Sequence, residues 1–109
     1  MPTLTILYWR DIPSQVIVRH GRTKARARLP DRFQEAIDRA AMRAGRGSSD
    51  AYMADWRRSE PRPCGDDLQA EADAEAARLE AGLDEAALTA LIRRHGRAGL
   101  LAAPTGSGD

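Results

Sequence analysis

Thr3-Leu-Thr-Ile-Leu-Tyr-Trp-Arg-Asp-Ile-Pro-Ser-Gln-Val-Ile-Val-Arg-His20 lays out the framework of the chain. Thr3–Trp9 alternates and is rich in β-branched and aromatic residues, which is the pattern of a half-buried strand. Asp11-Ile-Pro-Ser14 carries turn chemistry, because Pro13 cannot donate to a ladder. Gln15–His20 then reads as a second strand that stops at Gly21, and the two strands make a hairpin. Just beyond it, basic side chains occupy positions 22, 24, 26 and 28, with Thr23, Ala25, Ala27 and Leu29 between them. Period two marks this stretch as extended rather than helical.

Working outward, Pro30 stands at a helix start, with Asp31 and Glu35 in the first turns. Phe33, Ile37, Ala40, Ala41 and Ala44 follow 3.6-residue spacing until Gly45 and Gly47 end the helix. Residues 51–58 fit two patterns. A helix gathers Tyr52, Met53 and Trp56, whereas a strand puts Tyr52, Ala54 and Trp56 on one face. The two aromatics and the Pro-rich exit favour a third strand. Pro61-Arg-Pro-Cys-Gly65 reads as a linker. A second helix starts near Asp66 with Leu68, Ala72, Ala76, Leu79 and Leu83 as its stripe. Gly82 and Asp84 mark a break and a new N-cap, and a short third helix uses Leu88, Leu91 and Ile92 before Gly96. The expected fold is α+β: a small antiparallel sheet of two or three strands packed on two or three helices, in a single domain. That domain spans 1–96, and 97–109 reads as a flexible C-terminal tail.

Composition limits the function classes. A chain of 109 residues fits one domain. No apolar run approaches the ~18–20 residues needed to cross a membrane, and the N-terminus lacks a signal-peptide pattern. A single cysteine excludes an internal disulfide and suits a reducing cytoplasm. Sixteen of the 17 basic residues are Arg and 20 residues are Ala, a skew that GC-rich codon usage accounts for.

The net charge of +1 hides a split. Residues 1–46 carry ten basic and four acidic groups, whereas 66–92 carry eight acids and Arg78 alone. Either the acidic half folds back on the basic half, or each half meets its own partner.

Three stretches together resemble a known family: Leu7-Tyr-Trp-Arg-Asp-Ile-Pro13 with Gln15-Val-Ile-Val18, Leu29-Pro-Asp-Arg-Phe-Gln-Glu-Ala-Ile37, and Asp50-Ala-Tyr-Met-Ala-Asp-Trp-Arg57. With Pro63-Cys-Gly-Asp66 they are similar to the small bacterial virulence factor domain family, also found at the end of conserved virulence factor C-like proteins. The resemblance covers roughly residues 1–95. It carries over no catalytic residue. It implies an accessory role, beside folate- and corrinoid-linked one-carbon metabolism.

Few residues are arranged for chemistry. Cys64 precedes a predicted helix, whose amides favour a thiolate, and Arg62 is nearby, but Asp66 and Asp67 oppose ionisation. A small packed thiol is the plainer use of such a residue. Cys64 and His20 are the candidates for a thiol-dependent site, while His95 fits the end of the last helix as a cap. No C-x-x-C, H-x-x-x-H or H-E-x-x-H spacing supports a metal, and no glycine-rich phosphate loop is present, so no cofactor is expected. The acidic run Asp66, Asp67, Glu71, Asp73, Glu75 and Glu80 reads as a solvated helix surface.

Arg19, Arg22, Lys24, Arg26 and Arg28 form the leading binding candidate. On a strand, alternate positions project cations along one face at about 7 Å intervals. The plain use of such a strand is a charged edge that blocks strand-to-strand aggregation. An acidic protein surface or a nucleic-acid backbone would also suit it. The chain thus reads as a non-enzymatic cytoplasmic accessory or protein-interaction module, with Arg19–Arg28 and the pair Tyr52/Trp56 as contact regions. Two other uses stay open: a nucleic-acid-binding module, and a thiol-dependent enzyme subunit centred on Cys64.

Overall fold

The computed structural model describes residues 1–97. Strands β1 (Thr3–Trp9) and β2 (Ile12–His20) form the expected antiparallel hairpin, and β3 (Thr23–Arg28) pairs with β2 through a turn at Gly21-Arg22. Gly21 has φ 62°, a conformation glycine adopts without a Cβ penalty.

The first turn is tighter than expected. It consists of Arg10 and Asp11, while Ile12 and Pro13 already belong to β2. Pro13 is tolerated because the ladder is irregular there: Leu7 faces Gln15 and Tyr8 faces Pro13, which leaves Ser14 as a bulge. The Ser14 carbonyl instead accepts the Leu29 amide at 3.0 Å. Arg10 takes φ 54°, unusual for a residue with a side chain, and is fixed from several sides. Its amide donates to Asp55 O at 3.0 Å, its Nη1 to His95 O at 2.9 Å, and its guanidinium lies 5.0 Å from the Trp9 ring centre.

Among the described residues four helices follow, against the expected two or three: α1 (Asp31–Arg43), α2 (Ser49–Ala54), α3 (Leu68–Gly82) and α4 (Glu85–Arg93). Asp67 and Asp84 cap α3 and α4 by accepting the amides of Ala70 and Ala87. Arg32 of α1 donates to the carbonyls of Glu80 and Leu83, satisfying oxygens at the end of α3.

The expectation of two or three strands is corrected to a five-stranded sheet of order β3-β2-β1-β4, with β5 also on β1. Residues 51–58 are not one strand. Their first part is α2, and only β4 (Trp56–Arg58) is extended, paired with Leu7–Trp9. The supposed linker contains β5 (Arg62–Pro63), paired with Leu4 and Thr3. The physical reason is the free edge of β1. Between the two short strands, Ser59 N donates to Ile6 O and Ser59 Oγ accepts from Ile6 N, so this edge is satisfied along most of its length. Prolines 61 and 63 interrupt the outer row and keep both pieces short.

Alternation builds the core. Leu4 and Ile6 pair with Val18 and Val16, which pair with Ala25 and Ala27. α3 packs on β2 and β3, where its buried Ala72 and Ala76 permit close approach. α1 packs on α4 and β2, burying Phe33, Ile37, Leu88 and Leu91 in the same core. Each large apolar side chain buried this way contributes about 1.5–3 kcal/mol. Of the tail expected at 97–109, residues 98–109 lie outside the described residues.

Candidate binding face

Directly paired residues project to the same side of a sheet. Since Leu4, Ile6, Val16 and Val18 point into the core, the rows between them point the other way. One such row is Thr3, Arg19 and Lys24, the next Thr5, Ile17 and Arg26, and the third Arg58, Leu7, Gln15 and Arg28. Arg19, Lys24, Arg26 and Arg28 therefore share a face with Arg58. Arg22, expected in line with them, sits in the Gly21-Arg22 turn at the end of the hairpin instead. Sequence reasoning missed Arg58 because its side depends on β4 being a strand in register with β1. The strand reading of 51–58 already carried that signal, since alternation puts Arg58 on the side of Trp56.

Electrostatics supports one continuous basic patch. Arg19 foremost, then Arg26, and to a lesser degree Arg58 lower the pKa of the exposed Lys24 ammonium. Among the described residues no ion pair involves Arg19, Arg22, Lys24, Arg26, Arg28 or Arg58. The paired arginines lie elsewhere. Asp55 holds Arg10 and Arg46 at 3.2 and 3.0 Å, and Glu75 holds Arg62 and Arg78, each at 2.7 Å. Between the basic segment 1–46 and the acidic segment 66–92, the described ion pairs include one, Arg32–Glu80 at 4.0 Å. The acidic half does not neutralise the basic sheet face by direct pairing.

Tyr52 and Trp56 come together at the end of this face nearest the Arg10 turn. The Tyr52 ring stacks on Trp9 at 6.1 Å and meets Trp56 edge-on at 5.8 Å. Gln34 of α1 donates to the Tyr52 hydroxyl at 3.2 Å, which fixes the ring from the other side. Trp9 is fully buried, whereas Tyr52 and Trp56 are half-buried. These two rings border a cleft of about 780 Å3 whose floor includes Leu7 and Gln15.

The thiol candidates lie at the opposite end of the sheet. His20 is exposed at the end of β2, and Cys64 is half-buried just after β5. The Cys64 amide donates to Pro2 O at 3.2 Å, so the start of the chain runs between them. No hydrogen bond joins Cys64 to His20 among the described residues. Burial raises the Cys64 pKa, and the Glu71 and Asp66 carboxylates add to that, outweighing Arg62. The thiol is thus held protonated, against the activation a nucleophile needs. His95 has φ 60° just past α4 and gives its carbonyl to Arg10. No group of three or more His, Cys, Asp or Glu suited to a metal occurs among the described residues.

A family model described as "Virulence factor" matches residues 7–92, from the middle of β1 into α4. The match takes in all of the basic face from Leu7 onward, together with Tyr52, Trp56 and Cys64. No curated protein and no solved structure matches the chain. With most of its length matched, the chain belongs to the virulence factor family.

Proposed function

We propose that this member of the virulence factor family is a non-enzymatic protein-interaction module that docks an acidic partner on the open face of its sheet. The observation that carries the reading is the group Arg19, Lys24, Arg26, Arg28 and Arg58, spread over three strands of one face and outside every described ion pair. Such a face raises the encounter rate with an anionic surface by ~10- to 1,000-fold at low salt. It favours protein over nucleic acid because its middle row holds Thr5 and the buried Ile17 rather than rings on which bases stack. Trp9, Tyr52 and Trp56 pack on one another at one end.

The accessory role beside folate- or corrinoid-linked one-carbon enzymes belongs to the same proposal and rests on the family resemblance. Its cytoplasmic setting rests on the lone free Cys64. Among the described residues, no helix is long and apolar enough to cross a membrane.

The test is affinity capture from the native bacterium, with nuclease treatment and stepwise salt elution. A specific protein retained after nuclease, and lost with the triple variant Lys24→Glu, Arg26→Glu, Arg28→Glu, is the expected result. Recovery of RNA alone overturns it.

A further inference from the structure

The end of the basic face beside Tyr52 and Trp56 is a trough. Its floor is the single cross-strand row Arg58, Leu7, Gln15, Arg28. Three strand-to-strand steps of ~4.8 Å put the two arginines about 14 Å apart at the backbone. Between them the floor holds Leu7 and the polar Gln15, Ser14 and Gln34 also line the cleft, and Tyr52, Trp56 and the exposed Met53 form an apolar wall on the Leu7 side. The volume of about 780 Å3 is in the range of clefts that hold a ligand (~300–1,000 Å3). Arg57, also at the rim, is already engaged. Its Nε donates to Arg10 O at 2.8 Å and its Nη2 to Asp11 Oδ1 at 2.9 Å, and it lies over the Tyr8 ring. Arg28 and Arg58 are in no described ion pair, which leaves a cation at each end and, between them, an apolar patch at Leu7, Tyr52 and Trp56 beside the polar Gln15.

We propose that this trough anchors an extended acidic segment of the partner protein, with carboxylates at positions i and i+4 and an apolar side chain at i+2. Alternate side chains of an extended chain share a face, and four residues at ~3.4 Å span about 14 Å, the separation of the two arginines. The carboxylates meet Arg28 and Arg58 while the central side chain is buried against Leu7 and Trp56. A regularly charged nucleic-acid backbone fits worse, because it offers no apolar side chain to the patch at Leu7 and Trp56. The inference rests on the reading of the sheet face as a protein-docking surface and adds the form of the segment it recognises.

Fluorescence anisotropy with labelled synthetic peptides tests it on the full chain. The matched probe has two glutamates flanking a central leucine, with one serine on each side of the leucine. Replacing the leucine by serine is expected to weaken binding about tenfold. Arg58→Ala is expected to weaken the matched probe about fivefold, while Arg93→Ala on α4 changes it less than about twofold. Equal binding of the leucine and serine probes, or equal effects of the two substitutions, overturns the anchor. Hexaglutamate separates the two readings. If it binds in a salt-dependent way but the leucine adds nothing, the anchor fails and the docking face stands. If it does not bind even at low salt, both fall. Displacement of the matched probe by a single-stranded oligonucleotide at lower concentration overturns the protein assignment.

Discussion

The indole Nε1 of Trp9 donates to the main-chain oxygen of Tyr52 at 2.9 Å, joining the end of β1 to α2 across 43 positions of sequence. This bond holds α2 against the sheet and puts the Tyr52 ring between the two tryptophans. The wall of the trough therefore depends on a fully buried residue of the first strand. Trp9→Phe removes the donor, leaves the Tyr52 oxygen with only the long bond from the Asp55 amide (3.4 Å) and opens space in the core. A loss of about 2–4 kcal/mol is expected in urea unfolding. The remaining emission of Trp56 should change as its wall loosens.

Gly96 is the other support of Trp9. It has φ 82°, and a Cβ there would lie 3.0 Å from Trp9 Cζ3 and 3.3 Å from Cε3. The ring is fully buried and cannot swing away. Gly96→Ala combines a left-handed backbone with a clash against a fixed ring, so about 2–4 kcal/mol of stability should be lost. An unchanged unfolding midpoint would contradict this packing.

Asp55 sets an acid limit on the fold. Burial raises its pKa, but hydrogen bonds and charges from Arg46 and Arg10 outweigh burial and leave the carboxyl below its ordinary value. A depressed folded pKa contributes stability above the unfolded value of ~3.9, and this is lost as pH falls through the folded value. The stability difference between the wild type and Asp55→Asn should thus be constant from neutrality to about pH 5 and shrink below about pH 4. Urea titrations across that range measure it. A difference that grows towards acid would refute the assignment.

Lys24 stands among like charges, so its neutralisation should help the fold. Lys24→Gln is expected to raise Tm slightly at low ionic strength, with the gain vanishing at high salt as screening removes the repulsion. Binding to an acidic partner should move the opposite way. Such an opposition is the outcome that the proposed docking face predicts.

Cys64 should alkylate more slowly than free cysteine. Its raised pKa leaves less thiolate at pH 8, and half-burial restricts access. Iodoacetamide rates measured across pH will show an inflection above that of free cysteine. An inflection below it would restore the case for a reactive thiol.

Much of the fold is legible from local pattern. The alternation in Thr3–Trp9 and Gln15–His20, the period-two cations of 24–28 and the cap Asp84 all depend on near neighbours in sequence. The stripe Leu68, Ala72, Ala76 likewise gives α3 its buried side. By contrast, eight residues at 51–58 satisfy helix and strand periods about equally well. Their division into α2 and β4 is settled by Trp9, which takes Tyr52 O, and by the open edge of β1, which takes Trp56–Arg58.

The candidate face divides in the same way. Local pattern is enough to show that a run of cations is extended and that an α+β fold surrounds it, because side-chain alternation is a property of the strand alone. It also shows the charge split that nearly cancels in the total. That Arg58 joins that run, that Arg22 leaves it, and that Tyr52 and Trp56 close one end into a trough emerges from the folded arrangement. Those outcomes depend on cross-strand register, and register is set by the Ser14 bulge and by pairing with β1 from some fifty residues away.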